Sequence, residues 1–159
     1  LQMETYKGAV VREFDPHYMW ELSRIRYALE LSAAEDAVKN MTDQGLERLR
    51  QIQAAQREDL SNYNVDEFIR HDREFHFCIY EMSLNRELMK LASNYYDVFR
   101  FLGMQAVMGT EERRLTTIEE HQDILEAMEQ HNPKAAVQAM KKHMEQTETN
   151  IRRHIKIAP

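Results

Sequence analysis

Helix-start signals recur along this sequence from Asp15 to Asn132, and they constrain the fold more than any other feature. Each signal is a short polar residue that can accept a hydrogen bond from the first turn of a helix, followed by apolar residues at helical spacing. These residues are Asp15 before Pro16, Thr42 or Asp43, Asn64 with Glu67, Asn85, Thr116 or Thr117, and Asn132 before Pro133. The sequence therefore predicts helices over about 16–41, 43–60, 65–82 and 86–109, and two more that begin near 117 and 133.

Composition agrees with a helical fold. The 159 residues include 4 glycines and 3 prolines, fewer than the many turns of a β-sandwich require. No strand alternation, internal repeat or low-complexity segment interrupts the series, and 43% of the residues are hydrophobic, which disfavours disorder. We predict one all-α domain, an antiparallel bundle of six or seven helices.

Charge and cysteine content exclude several classes of function. The formal net charge of −6 argues against a nucleic-acid surface, because neutralising phosphates requires an excess of lysine and arginine. A single cysteine, Cys78, excludes an internal disulfide and a multi-thiolate metal site. No apolar run is long enough to span a membrane and no signal-peptide pattern is present, so we expect a soluble, cytoplasmic protein without membrane contact.

The first fourteen residues differ from the rest of the chain. Gly8 precedes a short β-prone run, Ala9 to Val11, and no helix-start signal occurs before Asp15. We therefore expect residues 1–14 to be the remnant of a preceding domain and its linker, and residues 15–159 to form the helical domain.

Four ionisable residues occupy positions on the apolar stripes of the predicted helices, where side chains face the core. Asp72 and His76 are one turn apart among the phenylalanines of the third helix, and His121 and His143 take core positions on the last two helices. His121 and His143 each lie eleven residues from Asn132, at the turn between those helices. At about 1.5 Å rise per residue both lie roughly 16 Å from this turn, so they can meet.

Three imidazoles and one carboxylate form a ligand set suited to a divalent ion such as Zn²⁺ or Ni²⁺. We therefore predict one metal per chain, bound by Asp72, His76, His121 and His143. Two alternatives remain at this point. Each histidine can be an ordinary core residue with its hydrogen bonds satisfied, and Asp72 and His76 can form a buried ion pair without metal.

Arg26 lies on the apolar stripe of the first helix, between Leu22 and Leu29. A guanidinium that points into the bundle suits bidentate capture of a carboxylate. The alternative is an ion pair within the helix to Glu30, four residues later.

Other charged residues are predicted to lie at the surface. We expect Glu74 and Glu120 to face away from the metal, because they are off the apolar stripes, and we expect Glu111 to Arg114 to form a solvated loop. The remaining histidines are predicted to be surface residues: His17, His71, His131 and His154.

Several segments together resemble one family, the FCD domain of the FadR subfamily of GntR-type bacterial transcription regulators. They are Arg26 to Glu30, Asp72 to His76, Asn85, Glu120 with His121, and Met140 to His143. The resemblance covers about residues 15–155, and Lys7 to Val11 is similar to the end of the winged-helix wing that precedes such domains.

The resemblance implies a bundle of six or seven helices that holds a divalent metal and a small organic acid and forms homodimers. Asp72, His76, His121 and His143 match the family's metal-ligand positions, and Arg26 matches its inward arginine, which contacts effector. Operator DNA would be bound only through a winged-helix domain outside this chain.

Two other functions remain at the level of sequence. A metal in a helical bundle can be catalytic, but no Glu-x-x-His, His-Glu-x-x-His or glycine-rich phosphate loop occurs, so we predict that the chain is not an enzyme. A purely structural dimerisation bundle is the second alternative.

Overall fold

The computed structural model describes residues 15–155, and within this range every regular element is an α-helix. The predictions made for residues 1–14 lie outside the described part of the chain. The helices are α1 Pro16–Asn40, α2 Asp43–Ser61, α3 Val65–Met82, α4 Arg86–Asn94, α5 Tyr96–Val107, α6 Glu111–Glu129 and α7 Pro133–Ile155. No helix between residues 15 and 155 combines the length and the apolar composition that crossing a membrane requires.

Five of the predicted helix caps are confirmed, since each side chain accepts a hydrogen bond from a backbone N–H in the first turn of its helix. These bonds join Asp15 to His17 at 3.1 Å, Thr42 to Gly45 at 3.1 Å, Asn64 to Glu67 at 3.4 Å, Asn85 to Leu88 at 3.1 Å and Asn132 to Ala135 at 3.1 Å. The helix starts were therefore predictable from local chemistry alone.

Two predicted boundaries were wrong. The helix predicted over 86–109 is broken at Tyr95, where φ is −101° and ψ is 16°, so the described chain has seven helices. The break separates α4, which packs on α1 and α3, from α5, which packs mainly on α7.

The sixth helix begins at Glu111, not near 117, because Thr110 accepts a hydrogen bond from the backbone N–H of Arg113 at 3.1 Å. The run predicted to be a solvated loop is thus the first turn of α6. Glu111 and Glu112 are favourable there because their negative charge lies at the positive end of the helix dipole.

The helices pack around two apolar clusters. α1 contacts α7 and α3, α2 contacts α3 and α6, and α6 contacts α7. One cluster contains Phe75, Ile124 and Met140, and the other contains Phe68 and Ile151. Along α3 and α6, Asp72 and His121 fall between residues of the two clusters. His76 and His143 lie beside His121, and these inward ionisable side chains form a buried polar layer within the bundle.

Candidate metal centre

Three histidines from three helices converge in the buried polar layer. His76 lies on α3, His121 on α6 and His143 on α7, and one ring nitrogen from each lies within 4.8 Å of the others. Their exposed fractions are 2%, 0% and 2%. The ring centroids of His121 and His143 are 4.8 Å apart, so the two residues placed at equal height by sequence spacing do meet.

Each imidazole is fixed through its Nδ1 atom, whose N–H donates to an acceptor on a further side chain. The pairs are His76 with Glu30 Oε2 at 2.9 Å, His121 with Gln56 Oε1 at 2.8 Å and His143 with Glu120 Oε2 at 2.8 Å. Because Nδ1 carries the proton in each pair, the Nε2 atoms present lone pairs to one another. Outer hydrogen bonds of this kind orient histidines that bind metals.

The Nε2 atoms of the three rings face one another and bond to no other side chain of the described residues. Those of His76 and His143 lie 3.2 Å apart, and that of His121 is buried without any hydrogen bond. Two lone pairs at this distance repel unless a proton or a cation lies between them. The donor set therefore fits a divalent cation, for which neutral imidazole is a preferred ligand.

Asp72 lies at the edge of the histidine cluster. Its Oδ1 atom is 3.7 Å from Nε2 of His121 and 3.4 Å from Nε2 of Gln56, which donates to it. The same glutamine accepts from His121, so one buried amide holds both side chains. The structure thus brings the carboxylate beside the three histidines, and its role as a fourth ligand stays a prediction.

The charges around the site keep the histidines available to a cation. Burial, followed by the neighbouring His143 and His76, holds the pKa of His121 well below its ordinary value. Burial also lowers the pKa of His143, although Glu120 opposes the shift. Burial raises the pKa of Glu30, but His76 and Arg26 outweigh that effect and bring it to about 2, so this anchor is a carboxylate.

Arg26 points into the bundle, as predicted, and it also forms the alternative ion pair. Its Nε atom donates to Glu30 Oε1 at 3.2 Å, and its Nη1 atom donates to the backbone carbonyl of Phe99 at 3.4 Å. A Cβ placed on Gly103 of α5 would lie 3.4 Å from both Arg26 Nη1 and Asp72 Oδ2. Arg26 and Asp72 therefore lie side by side, and Gly103 faces both of them from α5.

The FCD domain family matches residues 21–146, a range that includes all three histidines. This chain belongs to the FCD domain family. The Uxu operon regulator of Haemophilus influenzae is 30% identical over 138 residues, which cover 83% of this chain and 50% of that protein. The Nta operon transcriptional regulator of Aminobacter aminovorans is 32% identical over 95 residues, or 60% of this chain and 45% of that protein. The FCD domain thus spans about half the length of these curated relatives.

A solved structure confirms the fold of the FCD domain. The metal-free FCD domain of TM0439 superposes with a TM-score of 0.73 at 15% identity, and the match covers 89% of this chain and 96% of that one. The prediction of an all-α bundle is confirmed. Both curated relatives carry the names of operon regulators, and neither name is that of an enzyme.

The prediction that Glu120 faces away from the site was wrong. Glu120 is 2% exposed and binds both His143 and Arg113, whose guanidinium donates to its carboxylate at 3.0 Å. Glu120 is buried although it lies off the apolar stripe, because α6 packs against α2, α5 and α7 and is therefore buried on more than one face. The spacing of Arg113 and Glu120, two helical turns apart, was the sequence signal for this pair.

The remaining surface predictions were mostly confirmed. Glu74 pairs with exposed Arg70, and three of the four other histidines are exposed. His71 differs, because it lies between α2 and α3, where Nδ1 contacts Asp59 at 2.5 Å. Glu30 and Gln56, which anchor two imidazoles, were not identified as part of the site from sequence. A partner 46 or 65 residues away leaves no local pattern.

Proposed function

We propose that this FCD domain is the effector-sensing and dimerisation domain of a GntR-type regulator of the FadR subfamily. It binds one divalent metal, Zn²⁺ or Ni²⁺, through Asp72, His76, His121 and His143, and a small organic acid with the help of Arg26. The observation that carries the proposal is the convergence of three buried Nε2 atoms, each with its Nδ1 atom anchored by another side chain.

The choice of metal follows from the ligands. Three neutral imidazoles and one carboxylate are borderline donors, which favour Zn²⁺ or Ni²⁺ over Mg²⁺ or Ca²⁺. A bound divalent ion supplies positive charge and Lewis acidity to a carboxylate. The protein's own part is to hold the imidazoles in one tautomer and to exclude water from the buried layer.

Arg26 supports an acidic effector. Its guanidinium is buried, and it borders the Asp72 side of the centre. Glu30 neutralises part of its charge, and its Nη1 atom donates to the backbone carbonyl of Phe99 at 3.4 Å. A carboxylate gains more from a guanidinium than a carbonyl oxygen does, because the hydrogen bonds are charge-assisted.

Effector binding would couple to DNA through the arrangement of the helices. The residues named here come from α1, α3, α6 and α7, so a ligand at this centre joins four helices that are distant in sequence. A ligand shifts a conformational equilibrium by its different affinity for the two states. In the full-length cytoplasmic regulator, this shift would change how a homodimer presents its winged-helix domains to operator DNA.

Thermal denaturation tests this function. The zinc-loaded 159-residue chain is titrated with sugar acids, hydroxy acids and dicarboxylates, and we expect one class to raise the melting temperature. Arg26→Gln should abolish that rise while zinc content stays at one per chain. Arg24→Gln is the matched control, since Arg24 lies on the same helix with its side chain half exposed. A chain that no acid stabilises, or an Arg26 variant that responds like the parent, contradicts the proposal.

A further inference from the structure

A second buried arginine, Arg73 on α3, lies beside the candidate metal centre without an ionic partner. It is 6% exposed, and its Nε and Nη2 atoms make no hydrogen bond to any residue between 15 and 155. The guanidinium plane stacks on two aromatic rings instead, with its carbon 3.7 Å from the centroid of Tyr96 and 4.8 Å from that of Phe77.

The other buried arginines show that this is unusual for the molecule. Arg26 donates to Glu30, and Arg113 binds Glu120 through two nitrogens. No carboxylate within the described range lies at ion-pair distance from Arg73. Stacking fixes the plane of a guanidinium and satisfies its faces, but it leaves the N–H groups at the edge without acceptors. Arg73 is therefore held in position with unused donors.

Tyr80 provides a second buried donor on the same helix. It is 1% exposed, and its Oη atom makes no hydrogen bond of good geometry in the described part of the chain. Burial, followed by the nearby Glu30 carboxylate, holds the pKa of Tyr80 well above its ordinary value, so the hydroxyl keeps its proton. Arg73, His76 and Tyr80 are separated by three and four residues, so they share one face of α3. The candidate ligand His76 is thus flanked on its own helix by two buried donors, and of these the Arg73 guanidinium has no carboxylate partner among the described residues.

Both arginines adjoin Asp72, since Arg26 and Asp72 border Gly103 together and Arg73 directly follows Asp72 on α3. Arg26 lies near enough to Arg73 for its charge, after burial, to lower the pKa of Arg73 to about 10, and Arg73 therefore remains a cation at neutral pH. Two nearby cations, of which one has no counter-ion, favour a ligand that brings more than one negative charge.

We propose that Arg73 and Tyr80 form a second anion subsite and that the effector of this domain is a dicarboxylate. One carboxylate of the effector occupies the site next to Arg26 and the metal, and the other accepts hydrogen bonds from the Arg73 guanidinium and the Tyr80 hydroxyl. This inference rests on the proposed function, since it assigns the effector class of the same site.

Calorimetry of the zinc-loaded 159-residue chain tests the subsite. The probes are the dicarboxylates from malonate to adipate, each compared with its half-amide, which has the same length but one charge fewer. We expect at least one dicarboxylate to bind about tenfold or more tightly than its half-amide, because a charge-assisted hydrogen bond contributes at least that much. If every dicarboxylate binds no better than its half-amide, the inference is overturned.

Two variants assign the preference to the named side chains. Arg73→Gln and Tyr80→Phe should each reduce the preference for the dicarboxylate, the former to about one, because they weaken dicarboxylate binding more than half-amide binding. The zinc content should stay at one per chain. Arg73→Lys, which keeps the charge, should retain part of the preference. The matched control is Arg70→Gln, which removes an exposed arginine of the same helix.

A stability measurement separates binding from a structural role. Arg73→Gln removes an unpaired buried charge, so the ligand-free variant should melt at or above the temperature of the parent. A lower melting temperature together with an unchanged dicarboxylate preference would show that Arg73 is structural and would overturn the inference. If half-amides and dicarboxylates both fail to bind, the inference is overturned, and the proposed function fails with it only when no sugar acid or hydroxy acid stabilises the chain either. If both bind equally, only the second subsite fails.

Discussion

The Nε2 atoms of His76 and His143 lie 3.2 Å apart in the interior of the bundle, although the residues are 67 positions apart in sequence. Each ring donates through Nδ1 to a buried glutamate, so in the neutral rings both Nε2 atoms carry lone pairs. Packing alone gives no reason to place two lone pairs face to face. A shared cation removes the repulsion, and this relationship therefore underlies the metal proposal.

The outer hydrogen bond of His143 should tune metal affinity. Glu120→Gln keeps an acceptor but removes the charge that favours the Nδ1–H tautomer, so we expect zinc affinity to fall by about 10- to 100-fold. Competition with a fluorescent zinc chelator measures the change. Glu119→Gln is the matched control, because Glu119 is the adjacent glutamate of α6 and its side chain is exposed. Equal affinities for the two variants would show that Glu120 does not support the centre.

Gly103 should separate acid binding from metal binding. A larger side chain at this position projects towards Arg26 and Asp72, so Gly103→Leu should abolish stabilisation by carboxylates. A single added Cβ meets both neighbours at 3.4 Å, and Gly103→Ala should therefore fold normally and serve as the size control. The zinc content of both variants, measured by elemental analysis, should stay at one per chain. Normal acid binding by the leucine variant would place the acid elsewhere.

The corrected start of α6 predicts different effects for two threonines. Thr110 caps the helix, so Thr110→Ala should lower the free energy of unfolding by about 1 kcal/mol in urea denaturation. Thr116 lies within the helix, where its hydroxyl bonds to the carbonyl of Glu112. Thr116→Ala should cost less, since alanine has the higher helix propensity. A larger loss of stability for Thr116→Ala than for Thr110→Ala would instead support a helix start near residue 117.

Cys78 should be inert in the folded domain. Its side chain is buried, and burial raises the pKa of the thiol to about 11. At pH 8 the thiol is therefore protonated as well as inaccessible, and a thiol reagent such as Ellman's reagent should react only at the rate of unfolding. The same reagent should react at once in denaturant. Rapid modification of the native chain would show that the packing of α3 against α2 is looser than described.

Features that depend on neighbouring residues were predictable from the sequence. Caps such as Asn64 and Asn132 act over three residues, and the stripes that contain His76, His121 and His143 follow from helical period. The meeting of His121 with His143 was predictable because a single hairpin relates them. These features depend on chain geometry within one or two helices.

Features that depend on tertiary packing were not predictable from the sequence. Tyr95 interrupts a segment with continuous helical character, because α4 and α5 pack on different neighbours. Glu120 is buried because α6 is surrounded, which no stripe on α6 alone reveals. Gln56 and Arg73 became informative only once their hydrogen-bond partners, or the lack of them within the described residues, were visible.

X-ray absorption at the zinc edge of the loaded 159-residue chain tests the central claim most directly. We expect one zinc per chain with three imidazole nitrogens in the first shell at about 2.0–2.1 Å. His121→Ala should lose zinc or retain it with at most two imidazoles, whereas His17→Ala, whose side chain is exposed, should match the parent. A parent chain that retains no zinc, or one whose first shell has fewer than three imidazoles, would contradict the claim.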